Sequence, residues 1–464
     1  MEFISTRSAS PQSSQPLRFD DIIVAGPAPD GGLYVPATLP RLVSLPPTAG
    51  WNATASHVLG PFAQGVVGKD ALAGMIAASS SAFDDPGVAP LSSLEDGLHL
   101  LELFHGPTLA FKDVALQLLG RLIDWRLRQS GASALIVGAT SGDTGSAAIA
   151  GLRGQARTKI AILHPKGRTS EVQRRQMTTV LDANVLNLAV EGTFDACQSL
   201  VKALFADQAF ARGTNLGAVN SINFARIAAQ IVYYFTASSA LSKGGVVDFS
   251  VPTGNFGDIY AGILARAMGA PVGELVIATN ENDILVRACM TGIYQPRGVM
   301  ETTSPSMDIQ ISSNFERLLF DLSGRDGIMI ARLMEDLRTK GSMTLPRAMH
   351  EGLRAAVGAE RVTMDEAKAE MASVWRTRNR LIDPHTAIGL VAARRRKRAN
   401  VPMVALATAH AAKFPDAVEA ATGIRPSLPP HLAHLMTAPE RFETIAGDLA
   451  ALRARLSAFA GGVS

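Results

Sequence analysis

From Ala134 onward, short apolar runs alternate with stretches whose apolar residues recur every three or four positions. The runs 134–138, 159–163 and 186–190 predict strands, as do 246–251, 275–278 and 401–406 further along. Between them the spacing predicts helices over 146–152, 194–206, 227–235 and 259–268. Another opens at the capping box Ser170-Glu171-Val172-Gln173. Upstream, Val114, Leu118, Leu119, Leu122 and Ile123 share one side of a helix predicted from Asp113 to about Gln129. Asp113 suits its first turn, and Ser130-Gly131 closes it. Alternating β and α elements predict an α/β fold of parallel sheets covered on both faces by helices.

Two such blocks, split near residue 240, predict two α/β domains with a cleft between them, a common place for a ligand. Residues 18–95 mix short helical patterns with turns such as Asp30-Gly31-Gly32. The expected division is an N-terminal subdomain over 1–96, a small α/β domain over 132–239, and a large one built from 97–131 and 240–464. The polar segment 8–16 reads as a surface loop. No internal repeat is evident, and the segment after Pro426 gives no functional signal.

Composition narrows the class. Hydrophobic residues make up 47% of the 464-residue chain and charged residues 18%, so it is expected to form a well-cored globular protein. A net charge of +3 is too small to argue for nucleic acid, and no aromatic-basic patch supports it. The basic run Arg394-Arg395-Arg396-Lys397-Arg398 follows an apolar stretch and reads as a solvated helix C-terminus. Cys197 and Cys289 fit neither a disulfide scaffold nor a zinc spacing. Met1 to Arg7 lacks the pattern of a signal peptide, and no apolar run reaches ~18 residues. The expected setting is the cytoplasm, without a membrane partner.

Candidate chemistry lies in three loops and one lysine. Thr140-Ser141-Gly142-Asp143-Thr144-Gly145 and Thr253-Gly254-Asn255-Phe256-Gly257-Asp258 each follow a strand and open a helix. Such loops cradle anions with backbone N–H groups, but each also reads as a plain βα turn. Asn220-Ser221-Ile222-Asn223-Phe224-Ala225-Arg226 reads as a second phosphate cluster or as a helix cap with a surface arginine. Lys112, at a turn–helix junction after Gly106-Pro107, is positioned so that helix potential and apolar neighbours favour a neutral, nucleophilic amine. Taken alone, it reads better as a solvated lysine at a helix start. Two cradles and one such lysine together suit a pyridoxal-phosphate site.

Phe104-His105-Gly106-Pro107-Thr108-Leu109-Ala110-Phe111-Lys112-Asp113 resembles the cofactor-lysine motif of the threonine synthase family. The segments 4–7, 28–36, 138–145, 252–258, 279–284 and 407–414 resemble that family in order, over about residues 4–420. The resemblance favours the bacterial and fungal branch. It implies a fold-type II pyridoxal-phosphate enzyme, with the cofactor in the large domain. The implied reaction converts O-phospho-L-homoserine and water to L-threonine and phosphate, in a monomer or homodimer.

The resemblance also implies roles. Lys112 would carry pyridoxal 5'-phosphate and shuttle protons. Gly254, Asn255, Phe256, Gly257 and Asp258 would hold the cofactor phosphate, and Thr408 would face the pyridine nitrogen. Asp143, with Ser141 and Thr144, would lie beside the cofactor ring and the substrate carboxylate. Asn220, Ser221 and Arg226 would face the substrate phosphate. Relatives of the wider fold often carry Asn where Asp143 stands, near the cofactor's phenolic oxygen. A carboxylate there repels a phenolate unless one of them is protonated. His105, His385 and His410 are expected to serve packing or backbone hydrogen bonds. The nearest alternative is a dehydratase or phospho-lyase of the same fold, and dehydratase substrates carry no phosphate for the third cluster. A non-catalytic binder of phosphorylated metabolites is the alternative of a different class.

Overall fold

The computed structural model describes residues 1–8, 17–43, 45–218 and 220–461. The polar segment read as a surface loop therefore lies outside the described residues from 9 to 16.

The apolar runs form two sheets. The larger has six strands in the order Gly358–Arg361, Val272–Thr279, Val247–Pro252, Met403–Ala407, Leu98–Glu102 and Leu91–Glu95. All neighbours are parallel except the last pair. The smaller has five parallel strands in the order Glu443–Ala446, Val185–Glu191, Thr158–Pro165, Ala134–Ala139 and Leu216–Ala218. The central strands of both are buried along almost their whole length, as parallel strands covered on two faces must be. An antiparallel sheet of Leu17–Arg18, Glu2–Ser5 and Tyr34–Pro36 belongs to the N-terminal region.

Two differences from the sequence reading concern the C-terminal part. Strand Glu443–Ala446 pairs with Val185–Glu191, and Leu452 and Leu456 of helix Leu449–Gly461 are buried with Cys197, Leu200 and Leu204. Residues from 443 on thus join the smaller sheet, not the larger one. The basic run is not simply solvated. Helix Pro384–Arg396 ends in arginines that pair with carboxylates of other segments: Arg394 with Glu370 at 3.1 Å, Arg396 with Glu274 at 2.7 Å and, just beyond, Arg398 with Asp248 at 2.6 Å. Asp248 is buried, so Arg398 compensates a charge that would otherwise be costly.

Helix Lys112–Ser130 crosses helix Asp143–Leu152 at unusually short range. A Cβ on Gly120 would lie 2.0 Å from the Gly151 carbonyl oxygen, and one on Gly151 would lie 2.2 Å from that of Leu116. Only glycine permits this approach, which sets the starts of the two helices side by side. Helix Phe224–Leu241 is buried on nearly every face, as its largely apolar sequence requires. The loops after Leu98–Glu102, Ala134–Ala139, Val247–Pro252 and Met403–Ala407 all leave the carboxyl ends of parallel strands, where α/β sheets place their ligands.

Candidate active site

These loops converge on one cavity. Of the residues singled out from sequence, Lys112, Asp143, Thr144, Ser221, Arg226, Gly254, Asn255, Phe256, Gly257, Asp258 and Thr408 line it. Ser141 and Asn220 do not. Ser141 is exposed on the turn before Gly142, and the Asn220 side chain accepts the N–H of Ile222 at 3.3 Å.

Lys112 is the first residue of its helix and is buried, with Nζ 4.8 Å from the centre of the Phe111 ring. It donates to Asp143 Oδ2 at 3.1 Å. Burial pulls its pKa below the ordinary lysine value, Asp143 pulls it back, and Lys413 and Arg226 push it down again. Asp143 is the focus of a donor cluster. Oδ1 accepts Gln173 Nε2 at 2.9 Å and pairs with Lys413 Nζ at 2.8 Å, while Oδ2 also accepts Ser306 Oγ at 3.2 Å. Burial alone would raise its pKa, but Lys112 and Lys413 overcome this and hold it well below the ordinary value. The fully buried Lys413, which also donates to the Thr108 carbonyl at 2.6 Å, was missed from sequence.

The loop 253–258 closes tightly. A Cβ on Gly254 would lie 2.7 Å from the Ser306 carbonyl oxygen, so a side chain there would push the loop off its neighbour. Phe256 takes a left-handed φ of +64°, a strained value for a non-glycine residue, and its ring is pinned in the core edge-on to Phe315 at 5.3 Å. The turn aims the start of helix Gly257–Met268 at the cavity.

Asp258 acts here as a brace. Its Oδ1 accepts Tyr233 Oη at 2.5 Å and Tyr234 Oη at 2.9 Å, tying the loop to helix Phe224–Leu241. Burial raises its pKa to about 6 against the opposing tyrosine bonds. An unfolded aspartate titrates near ~4, so protonation favours the fold. That contribution is full below about pH 4 and is lost as pH rises through about 6. Asp258→Asn keeps an acceptor for both tyrosines and removes the titration. The variant should be the more stable at pH 8, by on the order of 2 kcal/mol, with no advantage at pH 4. A variant-minus-native difference in Tm that is flat between these pH values counts against this.

The cluster around Arg226 differs most from a surface cap. Asn223 does cap the helix, accepting the Ala225 N–H at 2.9 Å. Arg226 is buried, however, and its Nε and Nη1 have no hydrogen-bond partner. Burial lowers its pKa to about 10, which leaves it charged near neutrality. A buried, unpartnered guanidinium in a cavity wall calls for an anion. Together with the loop 253–258, Thr408 and the lysine, this donor set fits pyridoxal phosphate and a second anionic group. Ser306, Gln230 and His385 also line the cavity, and no sequence motif singled out the first two. Among the described residues there is no cluster of metal-ligating side chains, and no helix is long and apolar enough to cross a membrane.

Comparison with known proteins gives the family. Three family models match in order: "Threonine synthase N terminus" over 2–80, "Pyridoxal-phosphate dependent enzyme" over 88–408, and "Threonine synthase, C-terminal" over 386–455. The chain is 49% identical to a threonine synthase of Pseudomonas aeruginosa, over 98% of each sequence. A crystal structure of threonine synthase from Brucella melitensis with pyridoxal phosphate bound is 47% identical, with a TM-score of 0.96 over 99% of both chains. The yeast threonine synthase structure is 38% identical, with a TM-score of 0.92 over 100% of this chain and 99% of the other. With relatives this similar along its whole length, and a cavity whose buried lysine and donor groups fit such a cofactor, the chain belongs to the threonine synthase family of pyridoxal-phosphate-dependent enzymes.

Proposed function

We propose that the enzyme converts O-phospho-L-homoserine and water to L-threonine and phosphate, by γ-elimination followed by β-hydration, as the last step of threonine formation. The observation that carries this reading is the buried, unpartnered Arg226 in the same cavity as Lys112. One cationic group beyond the 253–258 loop suits a substrate that brings its own phosphate.

Bound here, pyridoxal phosphate supplies an electron sink for charge developing at Cα and Cβ. Lys112 would take the Cα proton and lend it to that electron sink, take a Cβ proton and return it to Cγ as phosphate leaves, and recover the lent proton for Cα; its burial favours the free amine this requires. Asp143 holds that amine in place, and Lys413 holds Asp143. Arg226 and Ser221 are assigned to the substrate phosphate, where they stabilise it as a leaving group at Cγ. Thr408 is assigned to the pyridine nitrogen, and Gly254 to Asp258 to the cofactor phosphate through their backbone N–H groups. Ser141 and Asn220 carry no assigned contact. We assign residues 1–90 to an N-terminal subdomain, because strand Leu91–Glu95 already joins the larger sheet, 132–222 with 443–461 to the small domain, and 91–131 with 223–442, including helix Phe224–Leu241, to the large one. The only partner inferred is the small-molecule substrate, for a monomer or homodimer in the cytoplasm.

The test is phosphate release from O-phospho-L-homoserine by purified holoenzyme, with threonine quantified in the same tube. Equal amounts of the two are expected. Phosphate with 2-oxobutyrate in place of threonine would favour the phospho-lyase, and no phosphate at all would return the reading to a dehydratase.

A further inference from the structure

His385 is expected from sequence to serve packing or backbone hydrogen bonds, and its ring does lie 4.9 Å from that of Phe414. Its polar atoms tell more. His385 is 3% exposed and lines the cavity that holds Lys112 and Thr408. Nδ1 lies 2.7 Å from Oδ2 of Asp383, a residue with no exposed surface. Asp383 caps helix Pro384–Arg396, accepting the backbone N–H groups of His385 and Thr386 at 3.0 Å and the Thr386 hydroxyl. A carboxylate so used has no proton to give, so Nδ1 carries the hydrogen and donates it. Nε2 is then a bare lone pair, and it is buried without a partner. A bare acceptor sealed against a ligand cavity calls for a donor from the ligand side.

Hydration needs such an acceptor. When water adds to the Cα=Cβ bond of the dephosphorylated four-carbon unit, Cα must next receive a proton. Lys112 is then the ammonium that delivers it and cannot also take one from water. Asp143 is saturated by Lys112, Lys413, Gln173 and Ser306. Asp258 braces the anion loop and is held by two tyrosines.

We propose that His385, held by Asp383, positions the water that adds at Cβ and takes its proton. This rests on the reaction proposed above. The water oxygen forms its bond to Cβ, the π pair of Cα=Cβ shifts to Cα, and the water proton moves to Nε2. The imidazolium is balanced by Asp383 and gives its proton to the departing phosphate. Lys112 protonates Cα.

The test is the ratio of threonine to phosphate produced by His385→Gln and Asp383→Asn holoenzymes. Native enzyme gives a ratio of one, and failure to release phosphate there would count against the reaction itself, not against His385. In either variant the ratio should fall at least about fivefold, with the balance leaving as 2-oxobutyrate. A ratio still at one, with native cofactor content, overturns the proposal and leaves the product phosphate as the acceptor. Should one variant fail to fold, the other decides. A readout independent of turnover is the ring tautomer in holoenzyme labelled with 15N-histidine. The His385 signals, assigned as those lost or moved in the variants, should show Nδ1 protonated and Nε2 not. An Nε2–H tautomer overturns the proposal.

Discussion

Lys112→Ala should fold, lose the near-visible absorbance of lysine-bound cofactor, and lose turnover by at least about 10³-fold. Folding should survive for three reasons. Alanine is a good helix former at a position where Lys112 begins helix Lys112–Ser130. The change removes a buried cation, with its desolvation cost, from the cavity wall. Asp143 keeps Lys413, Gln173 and Ser306 as partners, so its charge is not orphaned. Chemistry, by contrast, has no substitute. The neighbouring Lys413 has no exposed surface and is committed to the Thr108 carbonyl, Gln176 and Asp143. Lys112→Arg keeps the charge beside Asp143 but cannot bind the cofactor covalently, so it should be equally inactive. Absorbance and single-turnover measurements on both variants check this; activity within about tenfold of native in either would remove Lys112 from its role.

Much of this site was legible because its parts are local. The turn 104–111, the loop 253–258 and the strands before them carry their signals within a few residues. What was not legible depends on segments far apart in the chain. A carboxylate at position 143 looked awkward beside a phenolate, and the answer is a lysine at 413, which no local pattern connects to it. Its charge helps keep Asp143 ionised and would offset repulsion from a phenolate bound beside it. The arginines after Ala393 looked solvated because their partners, Glu95, Glu274, Glu370 and Asp248, come from other elements. Strand Leu216–Ala218 has too few residues to show a period, and Glu443–Ala446 buries little of itself at the sheet edge. Arg226 is a partial exception. The apolar residues after it, Ile227, Ile231, Val232, Tyr233, Tyr234 and Phe235, circle the helix without leaving a polar face, a signal that the reading of a surface arginine overlooked.

That arginine supports the second large prediction. A guanidinium with two unpartnered nitrogens is a liability in the ligand-free protein, because nothing repays its desolvation. Its retention makes sense if a ligand anion supplies the missing partner. Arg226→Gln should therefore separate stability from function. The ligand-free variant should match or exceed the native Tm, since the uncompensated charge is gone. With O-phospho-L-homoserine, kcat/KM should fall by about 10² to 10³, the loss typical when one partner of a buried charge pair is truncated. Both KM and kcat should contribute, because phosphate is held in the ground state and gains charge as it leaves. Cofactor affinity, measured by absorbance titration, should change less than about threefold, since the 253–258 loop presents its own backbone N–H groups. If cofactor affinity collapses while KM holds, Arg226 serves the cofactor phosphate. The substrate phosphate would then have to be held by Ser221 and neighbouring donors, and the preference for a phosphorylated substrate would rest on neutral hydrogen bonds alone.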